Sequence, residues 1–431
     1  MSAIRVGLLV STTVVALALP AVANANGFYL QEQSVRGAGR AFSGEGADTG
    51  ASSLWWNPAA IAGIKNREVV LAATAILPKV DVSDVNTLIR RPGQAARSVG
   101  GNRVSSDPID NGVLPSGAVA VPLTDRFAIG LMVSAPYSFA TNYEAESWAR
   151  YTADKTKLRT FDIQPSIAFA PTDWLRLGAA LNVEHADATL SNALPNLSPL
   201  QADGAQLLKG DGWDLGWSAG AQMHNDVVTV GFSYKSRVKH KLAGDVTISG
   251  LLGPLAAQNR EVKAAATFST PWQAIISTRV AATDKLTLNG QIVRFGWSEF
   301  DAIRLGAPLN TAIPENYRDT WSFATGVDYQ ATPSWTVRAG VQHAQTPTRT
   351  GERDARVPDS NRWIYAAGTS YQLTPSFTVD LAASYVDFAN TTIDRTTAAY
   401  AGTPVQTPIL VSGTLTGAKA IVVGLGGRLT F

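Results

Sequence analysis

The chain contains no cysteine, which excludes disulfides, zinc–thiolate sites and a cysteine nucleophile. Its histidines are few, at 185, 224, 240 and 343, and they are scattered without metal-ligand spacing. Charge is sparse: Asp, Glu, Lys and Arg make up 16% of 431 residues, against roughly 25% in an average soluble domain. The net charge of +2 gives no support for nucleic acid as a partner. Gly37-Ala38-Gly39 lacks a third glycine at the required spacing, because position 42 is Phe, so there is no dinucleotide fingerprint. No cofactor is expected. Beyond residue 25 there is no uninterrupted apolar run of the about 18 residues that would mark a transmembrane helix.

What is present begins with an export signal. Residues 1–25 carry a basic start at Arg5, an apolar run from Val6 to Leu19, then Pro20 and small residues ending at Ala25. That is the pattern of a cleaved secretory signal peptide, and it predicts a mature start at Asn26. The next stretch, 27–63, follows neither a 3.6 nor a 2.0 period, and glycine recurs at 27, 37, 39, 44, 46, 50 and 63. Irregular backbone leaves donors and acceptors unpaired unless something around it supplies partners. The stretch must therefore be enclosed.

Farther on, segment after segment alternates at period 2. Trp213, Leu215 and Trp217 alternate with Asp214, Gly216 and Ser218, and Val228, Val230, Phe232 and Tyr234 with Thr229, Gly231 and Ser233. Trp321, Phe323 and Tyr329, then Phe377, Leu381 and Tyr385, repeat the pattern. These are strands. Alternation alone also describes a β-sandwich with its apolar face inward, so the connections decide. Tight ones, at 124–126, 171–173, 225–226, 283–285, 332–334 and 374–376, take turns with long ones, at approximately 78–115, 141–155, 189–211, 248–260, 304–316, 347–360 and 393–416. Short turns on one side and long loops on the other are the habit of an outer-membrane barrel, here of about fourteen strands. Phe127, Trp174, Trp335 and Phe377 follow tight turns, as an interfacial aromatic girdle would. If the large apolar set faces lipid, parity sends Asp162, Gln164, Asp214, Lys235, Arg237, Arg279, Asp328, Arg338, Asp380 and Arg428 inward. Charges of both signs enclosed together predict a structural network, since buried charges must be paired.

The Ser43–Ala47 sequence SGEGA followed by Trp55–Ala60, WWNPAA, resembles the N-terminal hatch of the FadL-type outer-membrane transporters of fatty acids and other hydrophobes. Further pieces, at 316–330, 335–347, 357–371 and 378–386, look like that family's C-terminal strands. The resemblance implies an all-β transmembrane antiparallel barrel at 67–431, plugged by a hatch at 26–66. It also implies a single chain in the outer membrane of a Gram-negative bacterium, in contact with its lipid.

The resemblance extends to a route. Capture in a greasy groove would use Leu194, Leu197 and Leu200 on the third long loop and Leu251, Leu252 and Leu255 on the fourth; packing of the loops on each other is the other reason for leucines there. A tighter site against the hatch would use Phe28, Tyr29 and Leu30. Lateral exit would use a kinked third strand, marked by Pro136, near the Asn57-Pro58-Ala59 turn. By spacing, His185 stands where the family has an arginine, although it shares parity with Leu181 and Val183 and would face inward only past a bulge. A neutral histidine is a weaker carboxylate anchor than guanidinium, so the ligand is a fatty acid or a neutral hydrocarbon such as an alkylbenzene, or a detergent-like molecule. Two other readings stand beside transport: a nonspecific porin, which a hatch would obstruct and for which leucine-bearing loops are out of place, and an outer-membrane lipase or esterase, which would need a Ser and a His on adjacent strands.

Overall fold

The computed structural model describes residues 27–431; the expected signal peptide, 1–25, lies outside the described residues. Fourteen strands form one closed antiparallel barrel. They are β1 (Glu68–Asp84), β2 (Gly112–Pro122), β3 in two pieces (Phe127–Ser134 and Ser138–Asn142), β4 (Lys155–Thr172) and β5 (Leu175–Leu194). Next come β6 (Gly204–His224), β7 in two pieces (Val228–Lys235 and Lys239–Ser249), β8 in two pieces (Arg260–Ser269 and Trp272–Ala281) and β9 (Leu286–Gly296, resumed at Ala302–Leu305). The last five are β10 (Thr320–Thr332), β11 (Trp335–Ala344), β12 (Arg362–Thr374), β13 in two pieces (Phe377–Phe388 and Thr391–Ala399) and β14 (Thr407–Thr430). β1 pairs with both β2 and β14, from Glu68↔Ala120 and Glu68↔Thr430 onward. Closure leaves no edge, so every strand finds its backbone partners within the protein, as hydrocarbon requires.

Side chains obey the expected parity. Leu71, Leu131, Ile167, Leu215, Phe323 and Leu425 are exposed, and they point outward, where lipid replaces water. All six tight turns occur, and in three of them a short polar side chain accepts from the backbone N–H three residues on. Thr124 Oγ1 accepts from the Phe127 N–H at 3.0 Å, Asn225 Oδ1 from Val228 N–H at 2.8 Å and Thr283 Oγ1 from Leu286 N–H at 3.0 Å, the local bonds that make these residues turn formers.

Two expected long loops are short. β5 and β6 stay paired up to Leu194↔Gly204, and the second piece of β13 pairs with β14 from Thr391↔Leu415 to Ala399↔Thr407. In both stretches the apolar alternation fades while the backbone pairing continues. Arg237 is a second correction. It lies in the interruption of β7, is exposed, and pairs with Glu299. Residues 236–238 shift the inward parity by one, so that Lys235 and then Val238, His240 and Leu242 are buried.

Residues 27–63 lie inside the barrel. Backbone of this segment meets wall glycines on opposite sides: Ala59 at Gly178, Gly46 at Gly231, Arg40 at Gly340 and Gly39 at Gly368. No position outside a closed sheet could touch β5, β7, β11 and β12 at once.

Candidate ligand-binding site

The first residues of the segment are held by the break in β3. Pro136 cannot donate a ladder hydrogen bond, and β3 is interrupted there. Its pairing with β2 stops at Gly117↔Val133 and resumes only near the Ile109–Thr141 bridge. The N-terminal segment supplies partners on the inner side. The Leu30 N–H donates to Pro136 O at 2.7 Å and the Ser138 N–H to Phe28 O at 3.0 Å, while the Gln33 side chain accepts from Ala135 N–H at 3.3 Å and donates to Ala135 O at 3.2 Å. Leu30 packs in a cluster with Leu114 of β2, against Ala135, and so closes the β2–β3 gap from inside.

Phe28 points the other way, into a box of rings. Its ring lies 4.9 Å from Trp297, 5.0 Å from Phe300 and 6.0 Å from Tyr137, all edge-on, the arrangement aromatic quadrupoles favour. Above it is a narrow apolar cavity walled by Phe139, Leu190, Leu208, Phe268, Phe300 and Leu305. Four charged side chains border it: Lys209 and Asp245, which are exposed, and Glu315 and Arg356, which are buried. Burial pushes the Glu315 carboxyl up to about 8, with Asp354 adding to the rise and Arg395 and Arg356 opposing it. A wider, more polar vestibule lies among the outer loops, lined by Leu194, Pro314, Asp354 and Arg395 among others. Leu305 and Arg356 line both spaces.

The other expected site residues are distributed differently. Tyr29 is buried but occupied, accepting from Trp55 Nε1 at 3.0 Å. Leu194, Leu251 and Leu255 are buried in one cluster with Leu197 against it, so these loops pack on each other, whereas Leu200 is 95% and Leu252 45% exposed. His185 faces outward. The β4–β5 and β5–β6 registers run without a bulge through Phe161↔His185 and Trp213↔His185, and its ring lies tilted 4.9 Å from exposed Trp213. The inward histidine is instead His240, 3.0 Å from Glu184 and 3.4 Å from Asp214. The one-residue slip in β7 puts it there, and strand parity alone would not reveal it.

Asn57-Pro58-Ala59 is not at the β3 break. Asn57 Nδ2 donates to Gly46 O at 2.7 Å and Ala221 O at 3.2 Å, and its Oδ1 accepts from Ala59 N–H at 3.0 Å. The turn sits against Gly178 of β5 and Gly220 of β6, which are directly opposite. Ser43 and Arg40 sit in the same way against Gly326 and Gly340, opposite each other on β10 and β11. The sequence carried a signal for both notches, since glycine within a strand pattern marks close backbone approach.

The lumenal charges form the expected network. Asp328 lies 3.0 Å from Arg279 and 2.7 Å from Arg338 in ion pairs, and accepts from Arg40 Nη1 of the N-terminal segment at 3.4 Å. Arg40 also pairs with Glu45 and, at 2.6 Å, with Asp48.

A closed, lipid-facing antiparallel barrel whose lumen is filled by its own N-terminal segment defines a Gram-negative outer-membrane β-barrel protein. Residues 16–431 match the family described as outer membrane protein transport protein (OMPP1/FadL/TodX), and the chain belongs to that family. It is 26% identical over 397 residues to the long-chain fatty acid transport protein of Escherichia coli O6:H1, covering 84% of this chain and 86% of that one. A solved Pseudomonas aeruginosa FadL homologue superposes with a TM-score of 0.82 at 26% identity, covering 94% of this chain and all of the other. The Ralstonia pickettii toluene transporter TbuX shares the fold at 16% identity, with a TM-score of 0.65, covering 92% and 98%.

Proposed function

We propose that the protein carries hydrophobic molecules inward across the outer membrane. In this reading ligand gathers among the outer loops, descends through the vestibule into the apolar cavity, rests against Phe28, and leaves sideways between β2 and β3 into lipid. Residues 26–66 act as a hatch that blocks the straight path to the periplasm. Lateral exit suits an apolar solute, because leaving into hydrocarbon spares it the cost of re-entering water. The names of relatives, a fatty acid transporter and a toluene transporter, agree with this class of cargo. The observation that carries the reading is the placement of Phe28: one residue forms the cavity floor while its own carbonyl is bonded to Ser138 beside the β3 break. Ligand in the cavity and the seal at Leu30 are thus two residues apart on one chain.

Liposomes containing the purified protein test it. Uptake of radiolabelled palmitate or an alkylbenzene is expected, without swelling in small sugars, and Phe28→Ala should reduce uptake about tenfold or more, the effect of removing a buried ring. Rapid swelling of wild-type liposomes in sugar would instead identify a porin.

A further inference from the structure

Arg356 is buried, yet among the described residues it has no carboxylate within 4 Å, although twenty-one other ion pairs are formed. Its guanidinium donates only to neutral acceptors: Thr156 Oγ1 at 3.4 Å, the Ser191 carbonyl at 3.3 Å and Asn192 Oδ1 at 3.2 Å. The nearby acids are otherwise engaged. Asp354 is held by Arg395 at 2.9 Å, and burial raises the Glu315 carboxyl to about 8, which favours its neutral form. A guanidinium stays charged in any protein environment, and a buried charge without a counter-ion is costly unless a partner arrives. The position of this one is specific: it lines both the apolar cavity and the outer vestibule. Apolar wall lies on one side of it, and a polar, open chamber on the other.

We infer that Arg356 is the specificity-determining residue of the site, selecting long-chain amphiphiles with a single carboxylate head over neutral hydrocarbons, and that the ligand binds tail first, its chain toward Phe28 and its carboxylate at the neck. This rests on the transport reading above. The guanidinium presents its donors in a fork that fits a carboxylate, and a head held at the neck remains next to the polar vestibule, so binding does not require full desolvation of the charge. A tail-first pose also sets the alkyl chain against the apolar wall. A neutral alkane or alkylbenzene fills the same cavity but leaves Arg356 without a counter-ion.

The test is equilibrium binding to the full chain in lipid nanodiscs, with palmitate and hexadecanol as a matched charged and neutral pair. Wild-type protein should bind palmitate at least about tenfold more tightly than hexadecanol. Arg356→Gln should erase that preference while changing hexadecanol affinity less than about twofold, and Arg356→Lys should restore part of it. A wild-type affinity equal for both probes would overturn the assignment without any variant, as would parallel weakening of both in Arg356→Gln. If wild-type protein binds neither probe, the transport reading fails and takes this one with it, a result distinct from binding without discrimination.

Discussion

Gly178 and Gly220 face each other across β5 and β6, and the Asn57-Pro58-Ala59 turn lies in the notch that their missing side chains leave. A methyl group at position 220 would overlap the Asn57 side chain, and at 178 the backbone of Pro58 and Ala59. Gly220→Val should therefore displace the N-terminal segment while leaving the barrel paired. The expected outcome is a barrel that still shows heat-modifiable migration on gels but now passes small sugars in a swelling assay. Unaltered sugar exclusion would mean the notch does not seat the segment.

Pro136 interrupts β3 and offers only its carbonyl, which the Leu30 N–H takes. Pro136→Ala returns an N–H to the strand, and a ladder extended toward β2 would narrow the gap. Uptake of labelled palmitate should fall several-fold, with palmitate binding to the nanodisc-held protein unchanged. Uptake at the wild-type rate would remove the β2–β3 gap as the exit.

Asp328 compensates Arg279 and Arg338 of the wall and Arg40 of the segment. Asp328→Asn keeps the shape but leaves several guanidinium groups short of negative charge. Breaking a buried pair from one side typically costs about 3–5 kcal/mol, so the variant's unfolding midpoint in denaturant should drop clearly. Asp162→Asn, on the other wall cluster, is the comparison that separates a local loss from a general sensitivity to lumenal charge.

Glu315 faces Asp354, Arg395, Arg356 and Glu352, and burial raises its carboxyl to about 8. A raised folded value means the proton is held in the native state through the range in which the unfolded chain has already lost it. Its contribution to stability is present below the ordinary carboxyl range and is lost as pH rises toward about 8. Above that, an ionised Glu315 beside Arg356 would compete with a ligand carboxylate. Palmitate affinity should decline as pH passes about 8, and Glu315→Gln should flatten the decline. A pH profile identical in both proteins would contradict it.

The amino-acid order by itself determined the strands, their outward faces and the alternation of short and long connections. Parity is local: Trp213, Leu215 and Trp217 must share a face because each strand residue reverses direction, and Thr124 and Asn225 make their turns with atoms a few positions away. Lumenal charge pairing was legible for the same reason. Tertiary structure alone decided which side chains line the lumenal cavity. A one-residue slip at 236–238 turned His240 inward, an unbroken register left His185 facing out, and a loop from a distant part of the chain brought Arg356 to Thr156 and Asn192. Register, bulges and loop docking depend on partners well beyond the neighbouring residues, from His185 opposite Trp213 to Arg356 on Thr156, 200 positions away. No local periodicity encodes those distances, and they were settled only when the sheet closed on the segment inside it.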